Sequence, residues 1–204
     1  MKKYLFFLLF ISTSLVCFPQ QTHDLSPEEI EAFKVQCQER IDAFQMGLEI
    51  IADKRQNSEI KDHYIKTLPE MFMGNGDPWT DINGGKHAAV KMQVSSLSNE
   101  KPHDIPLKLY LNRLRDLEYT DVEIKKAKTC LISNLYKVSD NLYMGTCTFF
   151  QYFTGKSGDG RVYRDYTQKD VDIYIQRIAD GSLGTYWDMK FGDINVTETK
   201  RMPE

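Results

Sequence analysis

Side chains that commonly do catalysis occur in this sequence, but their spacing matches no known catalytic or metal-binding motif. The four histidines fit neither HxxxH nor HExxH spacing; they are His23, His63, His87 and His103. A serine nucleophile would need GxSxG, which does not occur. Gly155-Lys156-Ser157 resembles the end of a phosphate-binding loop, but Phe150 stands where the first glycine is required. The sequence alone therefore predicts no catalytic residue, no metal and no cofactor.

Two groups of residues that contain aspartates are candidate functional residues. Asp77, Asp81 and Asn83 could offer oxygen ligands to calcium, but Trp79 interrupts the alternate-position pattern that an EF-hand needs. Asp170 and Asp172 lie in a segment whose intervening position is Val171. Because side chains alternate between the faces of a strand, both aspartates are expected to face solvent. No aspartate, Asp165 included, is assigned to the interior of the protein.

Aromatic residues are the best candidates for a ligand pocket. Phe149, Tyr174 and Trp187 are predicted to line it, with ordinary core packing as the alternative. A wider aromatic set exceeds what a strand core usually needs and favours a binding surface on the same sheet; it comprises Tyr136, Tyr143, Phe149, Phe150, Tyr152 and Phe153.

A long amphipathic helix is predicted over residues 26–53. Ser26 and Glu29 form a capping box, and Pro27 suits the first helical position. Apolar residues then recur every three or four positions, which places them on one face; they are Ile30, Phe33, Cys37, Ile41, Phe44, Leu48 and Ile51. This stripe indicates a helix that covers a broad apolar surface.

Shorter elements follow. Asn57 and Ser58 can cap a second helix, residues 88–97 alternate like a strand, and Asp104 is expected to cap a third helix at 104–117. The rest of the chain reads as long strands at 122–138, 142–154, 161–178 and 185–197. Ile194 and Val196 have the opposite parity to Trp187, Met189 and Phe191, which predicts a β-bulge at Gly192-Asp193.

The N-terminal residues indicate export. Lys2 and Lys3 precede an apolar run to Phe18, a pattern typical of a signal peptide over residues 1–21, with a membrane anchor as the alternative. Lipidation at Cys17 is a minority alternative because the preceding residues match poorly. We expect residues 22–204 to form a single domain that is periplasmic, cell-surface or extracellular. No second segment is apolar enough to span a membrane.

The composition and net charge of the chain limit the classes of partner that it can bind. The chain has 204 residues, of which 41% are hydrophobic and 27% charged, as in folded globular proteins. Without the two lysines of the signal peptide, 24 basic residues stand against 29 acidic ones, a net charge of −5. A mildly acidic protein is a poor partner for nucleic acid. Of the cysteines, Cys37, Cys130 and Cys147 are expected to be buried thiols, since strand register separates the last two.

The order of these elements resembles the NTF2-like (SnoaL-type) superfamily. The likeness is carried by the helix at 26–53, the helix at 104–117 between the first two strands, and the last strand with Trp187 and Gly192-Asp193-Ile194. The resemblance implies an α+β fold in which N-terminal helices pack in a strongly curved antiparallel sheet shaped like a cone. The resemblance covers residues 22–204. Because the superfamily includes enzymes, ligand-binding proteins and interaction modules, the resemblance does not determine a function.

Three functions remain open. The first hypothesis is a non-catalytic binding domain that takes a small apolar ligand or an envelope protein on the concave sheet face. The second is an isomerase or dehydratase, which by resemblance would carry a buried carboxylate or histidine inside the cone, beside a tyrosine. The third is a structural subunit that forms a homodimer through its sheet.

Overall fold

The computed structural model describes residues 24–82, 84–126, 130–182 and 184–202. The predicted signal peptide and Asn83 lie outside these residues. Among the described residues, no helix is both long and apolar enough to cross a membrane.

Three α-helices lie within the described part of the chain. Helix α1 spans Pro27–Ala52, α2 spans Ser58–Thr67 and α3 spans Leu107–Arg115, with short 3-10 turns at Leu68–Met71 and Met73–Gly76. The predicted capping box is confirmed. The Glu29 amide donates to Ser26 Oγ at 3.2 Å, and the Ser26 amide donates to Glu29 Oε2 at 2.8 Å. Asn57 caps α2, also as predicted.

Ten strands lie within the described residues. Strands β1 and β2 form a small hairpin, and the other eight form one sheet. The bounds are β1 Trp79–Thr80, β2 Lys86–His87, β3 Lys91–Ser96, β4 Asn99–Pro106, β5 Asp121–Lys126, β6 Leu131–Ile132, β7 Tyr136–Ser139, β8 Leu142–Lys156, β9 Val162–Asp180 and β10 Gly184–Arg201. The strand order is β4-β3-β10-β9-β8-β5, with β6 and β7 also paired to β8. All pairs are antiparallel except β3 with β10.

The sheet curves because β10 is irregular. Its pairing with β9 shifts between Phe191 and Ile194 and again between Val196 and Glu198. The first shift is the bulge predicted at Gly192-Asp193, and bulges bend a strand and increase its twist. The α+β class, with N-terminal helices packed in a curved and mainly antiparallel sheet, is thereby confirmed. The element order and strand order agree with the NTF2-like resemblance.

Two sequence predictions about elements were wrong. Asp104 does not cap a helix, because residues 99–106 pair with β3 as a strand and α3 begins after Pro106. Asp104 instead accepts hydrogen bonds from Lys91 and Gln93 on β3. The single strand predicted at 122–138 is divided into β5, β6 and β7, each of which pairs separately with β8.

The core lies between α1 and the inner face of the sheet. The apolar stripe of α1 is buried against β8, β9 and β10, where Phe149, Val171 and Ile173 are fully inaccessible to solvent. Phe72 links the helix to the sheet, since its ring lies 5.2 Å from that of Phe44 and 5.7 Å from that of Phe191. Burial of this continuous apolar surface is the main stabilising contribution to the fold.

The three cysteines of the domain are buried thiols, as predicted. Cys147 pairs in register with Ile132, so Cys130 is offset by two residues along the neighbouring strand. The Cys130 thiol donates to Gln38 Oε1 of α1 at 2.9 Å. The thiol is thus part of the packing between α1 and the sheet.

The bulge depends on a residue without a side chain at position 192. A Cβ added to Gly192 would lie 2.5 Å from Cε2 of Tyr174 and 3.0 Å from Cβ of Asp172. We therefore expect Gly192→Ala to lower the free energy of unfolding by about 1–3 kcal/mol through overpacking, measured by urea denaturation. Gly181→Ala is the control, because a Cβ there meets nothing within 4 Å. Equal stability of the two variants would contradict this account of the bulge.

Candidate active site

The inner face of β9 changes from apolar to charged along the strand. Val171, Ile173 and Ile175 belong to the apolar core, whereas Asp165, Thr167 and Lys169 continue the same row and are also buried. On β8, Gln151 pairs in register with Thr167 and is buried beside it. The polar part of the row therefore lies inside the curved sheet, beyond the region that α1 fills.

A cavity of about 420 Å³ separates this polar row from α3 and from the β3–β4 hairpin. Its size suits a small organic molecule. Half of the lining residues are apolar or aromatic, and the other half are polar or charged. The lining residues are Val94, Ser95, Ser96, Ser98, Ile105, Tyr110, Arg113, Leu114, Leu117, Tyr119, Gln151, Phe153, Tyr163, Asp165, Thr167 and Lys169.

A tyrosine fixes the Asp165 carboxylate. Tyr163 Oη donates to Asp165 Oδ2 at 2.5 Å, and the backbone amide of Leu97 donates to Tyr163 Oη at 2.9 Å. Since the phenol has only one proton, the amide of Leu97 orients that proton toward Asp165. This arrangement holds Oδ2 in place, while Oδ1 accepts no hydrogen bond from any described residue.

Burial moves the proton affinities of these groups away from their ordinary values. Desolvation raises the pKa of Asp165, although the Tyr163 hydrogen bond and the charge of Lys169 oppose the rise. Desolvation, followed by the hydrogen bond to Asp165, raises the pKa of Tyr163 to about 12. The tyrosine thus stays protonated at neutral pH and remains a donor to the carboxylate.

Lys169 is the buried cation of the polar row on β9. Only 4% of this residue is exposed, and burial lowers its pKa to about 8, against the opposing charge of Asp165. Its Nζ lies 5.8 Å from the centre of the Tyr110 ring, a cation–π arrangement. Among the described residues it has neither a hydrogen bond nor an ion pair within 4.0 Å. A buried lysine without a partner is unusual in a purely structural position.

Gln151 and Tyr110 complete the polar wall. Burial raises the pKa of the Tyr110 hydroxyl to about 12, although the neighbouring Gln151 side chain opposes the rise. Gln151 Oε1 is buried and has no hydrogen-bond partner among the described residues. An unsatisfied buried acceptor costs free energy, and a bound ligand with a donor group would remove that cost.

A wider cavity of about 840 Å³ adjoins the first and shares Ser98, Leu117, Tyr119 and Tyr163 with it. Arg161, Arg164 and Arg201 line this outer cavity. Arg161 is paired with Asp159 at 2.6 Å. Glu118 lines the same outer cavity, so its charged residues are three arginines, one of them paired, and one glutamate.

The structure does not bring the three predicted pocket residues together. Phe149 is fully buried in the core, and Tyr174 projects from the opposite face of the sheet, where its ring meets Trp79 at 5.9 Å. Trp187 is half-buried on the inner face and lines a separate depression near the start of α1. A ligand-binding role for these residues remains a prediction, and the cavity described above is lined by others.

Sequence reasoning missed Asp165 and Lys169, although a signal was present. Both have the parity of Val171, Ile173 and Ile175, and β9 is paired with β8 without a register shift. Carrying the alternation back from Val171 would have placed Lys169, Thr167 and Asp165 inside. Asp170 and Asp172 do lie on the other face, as expected, and both are partly buried there. A metal site was not predicted, and no metal-binding cluster occurs among the described residues.

Comparison with known proteins finds no family model and no curated protein sequence that matches the chain. Solved structures with a similar arrangement include the Kfla4162 protein from Kribbella flavida, with 14% identity over 86% of this chain and 95% of that one and a TM-score of 0.43. A protein described as a scytalone dehydratase from Novosphingobium aromaticivorans has 10% identity over 87% and 93% of the two chains, with a TM-score of 0.43. A type 2 hexachlorocyclohexane dehydrochlorinase (LinA) has 12% identity over 85% and 93%, with a TM-score of 0.39. At these identities and TM-scores the likenesses assign no function to the chain.

The lowered proton affinity of Lys169 can be measured directly. We expect the NMR signal of its Cε to titrate with a midpoint near 8, well below the ordinary value of 10.5. Asp165→Asn should lower the midpoint further, because the carboxylate charge raises the lysine pKa. Asp172→Asn, on the other face of β9, should leave the midpoint unchanged. A midpoint near that of an ordinary lysine would show that Lys169 is solvated.

Proposed function

We propose that this protein is an enzyme of the isomerase or dehydratase type, in which Asp165 accepts and returns a proton of a small substrate bound in the 420 Å³ cavity. The observation that carries the proposal is the Tyr163–Asp165 hydrogen bond of 2.5 Å inside the cavity. A buried carboxylate held by a tyrosine is the arrangement that the second sequence hypothesis requires.

Asp165 has the geometry of a general base. One carboxylate oxygen is held by Tyr163, and the other makes no hydrogen bond with the described residues, so it can approach a substrate C–H or O–H group. Because desolvation raises the pKa of Asp165, the carboxylate is a stronger base than a solvated aspartate. The opposing charge of Lys169 favours the ionised form.

Proton abstraction from carbon also needs a group that stabilises the negative charge left on the substrate. Lys169 lies in the same inward row, four residues further along β9, and contributes to the same cavity wall. A cation in a site from which water is largely excluded interacts with developing charge more strongly than one in bulk water. The pair thus supplies a base and a cation that line the same cavity.

Ligand binding without catalysis is the second candidate, and it would use the same cavity. The concave sheet face that the first sequence hypothesis reserves for a partner is occupied by the chain's own helices, since α1 packs on its apolar half and α3 faces its polar half. Apolar ligands need no unpaired lysine or hydrogen-bonded aspartate in the wall, and burying these charges is costly. Their presence favours catalysis. Export of the protein and a homodimer remain proposals from the sequence.

The catalytic role of Asp165 can be tested by hydrogen–deuterium exchange next to a carbonyl group. A panel of small cyclic and aromatic ketones in D₂O, followed by proton NMR, is expected to include compounds whose exchange the protein accelerates. Asp165→Asn should lower that acceleration by about 10²- to 10⁴-fold, the usual contribution of a general base.

Asp172→Asn serves as the control, because this aspartate lies on the opposite face of the same strand and should not affect exchange. Equal exchange by wild type and Asp165→Asn would disprove the assigned role. If the ketones bind, as seen by ligand-observed NMR, but none exchanges, the non-catalytic alternative is supported.

A further inference from the structure

Lys169 has no structural task that accounts for its position. Its neighbours in register across the sheet, Phe149 on β8 and Val196 on β10, are apolar. The amine has no hydrogen bond or ion pair within the described part of the chain, and its one described polar contact is the cation–π contact with the ring of Tyr110. The buried amine therefore remains available to a molecule in the cavity.

We propose that the Lys169 amine is a nucleophile that forms an imine with an aldehyde or ketone substrate in this cavity. The proposal deepens the proposed function and rests on it, because it names the substrate class and the electrophile. Three features of the geometry support it: the amine is unpaired, it faces a cavity of suitable size, and a carboxylate faces the same cavity.

The step needs a neutral amine. With a pKa of about 8, about one tenth of the lysine is neutral at pH 7, compared with less than about one thousandth of a solvated lysine. Burial leaves only 4% of Lys169 exposed and disfavours the charged ammonium, which maintains this population. Lys61, which is also buried, is on α2 and does not line the cavity, so burial alone does not define the site.

The atoms balance without a further reagent. The Nζ lone pair attacks the carbonyl carbon, the C=O π bond becomes a C–O single bond, and a proton passes from nitrogen to oxygen to give a carbinolamine. Asp165, which has taken up the proton that the ammonium form of Lys169 gives up, then donates it to the hydroxyl group, which leaves as water while the nitrogen lone pair forms the C=N bond. The product is an iminium ion with an ionised Asp165 in the same cavity.

The iminium ion supplies what the proposed reaction requires. Its positive nitrogen withdraws electrons through the C=N bond and acidifies the C–H bonds of the α-carbon. Asp165 can then accept a proton from the α-carbon, while the C–H electron pair forms the C=C bond of an enamine and the C=N π electrons return to nitrogen. Return of the proton to another carbon gives isomerisation, and loss of a β-hydroxyl group gives dehydration. Hydrolysis of the C=N bond then releases the product and restores the lysine amine.

Reductive trapping tests the proposal on the folded domain. A short pulse of cyclohexanone with sodium cyanoborohydride at pH 7 reduces any imine to a stable secondary amine, and peptide mass spectrometry locates it. We expect Lys169 to be modified at least tenfold faster than Lys125, an exposed lysine on β5. Labelling of Lys169 that is no faster than labelling of Lys125 would overturn the proposal.

Variants separate the site from nonspecific alkylation. Lys169→Met should remove the rapidly labelled peptide, while Lys61→Arg, which alters a buried lysine elsewhere, should leave it unchanged. Because Lys169→Met could alter folding, pulse labelling of wild-type protein across pH provides a second measurement. The rate at Lys169 should rise with a midpoint near 8; a rate that is still rising steeply well above pH 8 would contradict the proposal.

The outcome is independent of the exchange assay. If Asp165→Asn abolishes exchange but Lys169 labels like an exposed lysine, the proposed function stands and the imine is excluded. If Lys169 is trapped rapidly but Asp165→Asn exchanges like wild type, the imine stands and the assigned base is wrong.

Discussion

The unbroken ladder between β8 and β9 is the constraint on which the interior of this protein depends. All 15 residues of β8 pair with β9 without a register shift. A shift of one residue would exchange the inner and outer rows, and would expose Phe149, Val171 and Ile173 while burying Asp170 and Asp172. Because the apolar residues of β9 must face the core, the polar residues of the same row must face the interior as well. Asp165 and Lys169 therefore lie on the inner face of the sheet.

Asp165 and Lys169 are two buried charges of opposite sign at the end of this row, and each one lowers the free-energy cost of burying the other. Removal of a carboxylate and an ammonium group from water is expensive, and their mutual attraction repays only part of it. The charge of Asp165 raises the pKa of Lys169, and the charge of Lys169 lowers the pKa of Asp165. The two groups nevertheless do not form an ion pair within 4.0 Å. The remaining cost falls on the stability of the fold. Such costs are commonly retained where a site needs a group with a shifted proton affinity.

Much of the framework could be read from the sequence, because local chemistry determines it. The capping box of α1, the Asn57 cap of α2 and the bulge at Gly192-Asp193 depend on residues close together in the chain. Strand β4 was missed because its pattern is weak and its partner is β3; Asp104 looks like a helix cap until that pairing is known. The cavity was missed for a related reason. It is formed by residues from β3, α3, β8 and β9, and only the tertiary arrangement shows that α1 fills one half of the sheet and leaves the other half open.

The hydrogen bond from the Leu97 amide to Tyr163 connects the orientation of Asp165 to the β3–β4 hairpin. Leu97 sits at the tip of the β3–β4 hairpin and lines the outer cavity through which a molecule reaches Asp165. Hairpin tips are among the more mobile parts of folded proteins. Because the Leu97 amide is at this tip, an outward movement of the tip would withdraw the donor that orients the Tyr163 proton. The orientation of Asp165 Oδ2 therefore depends on the conformation of a hairpin that lies outside the core.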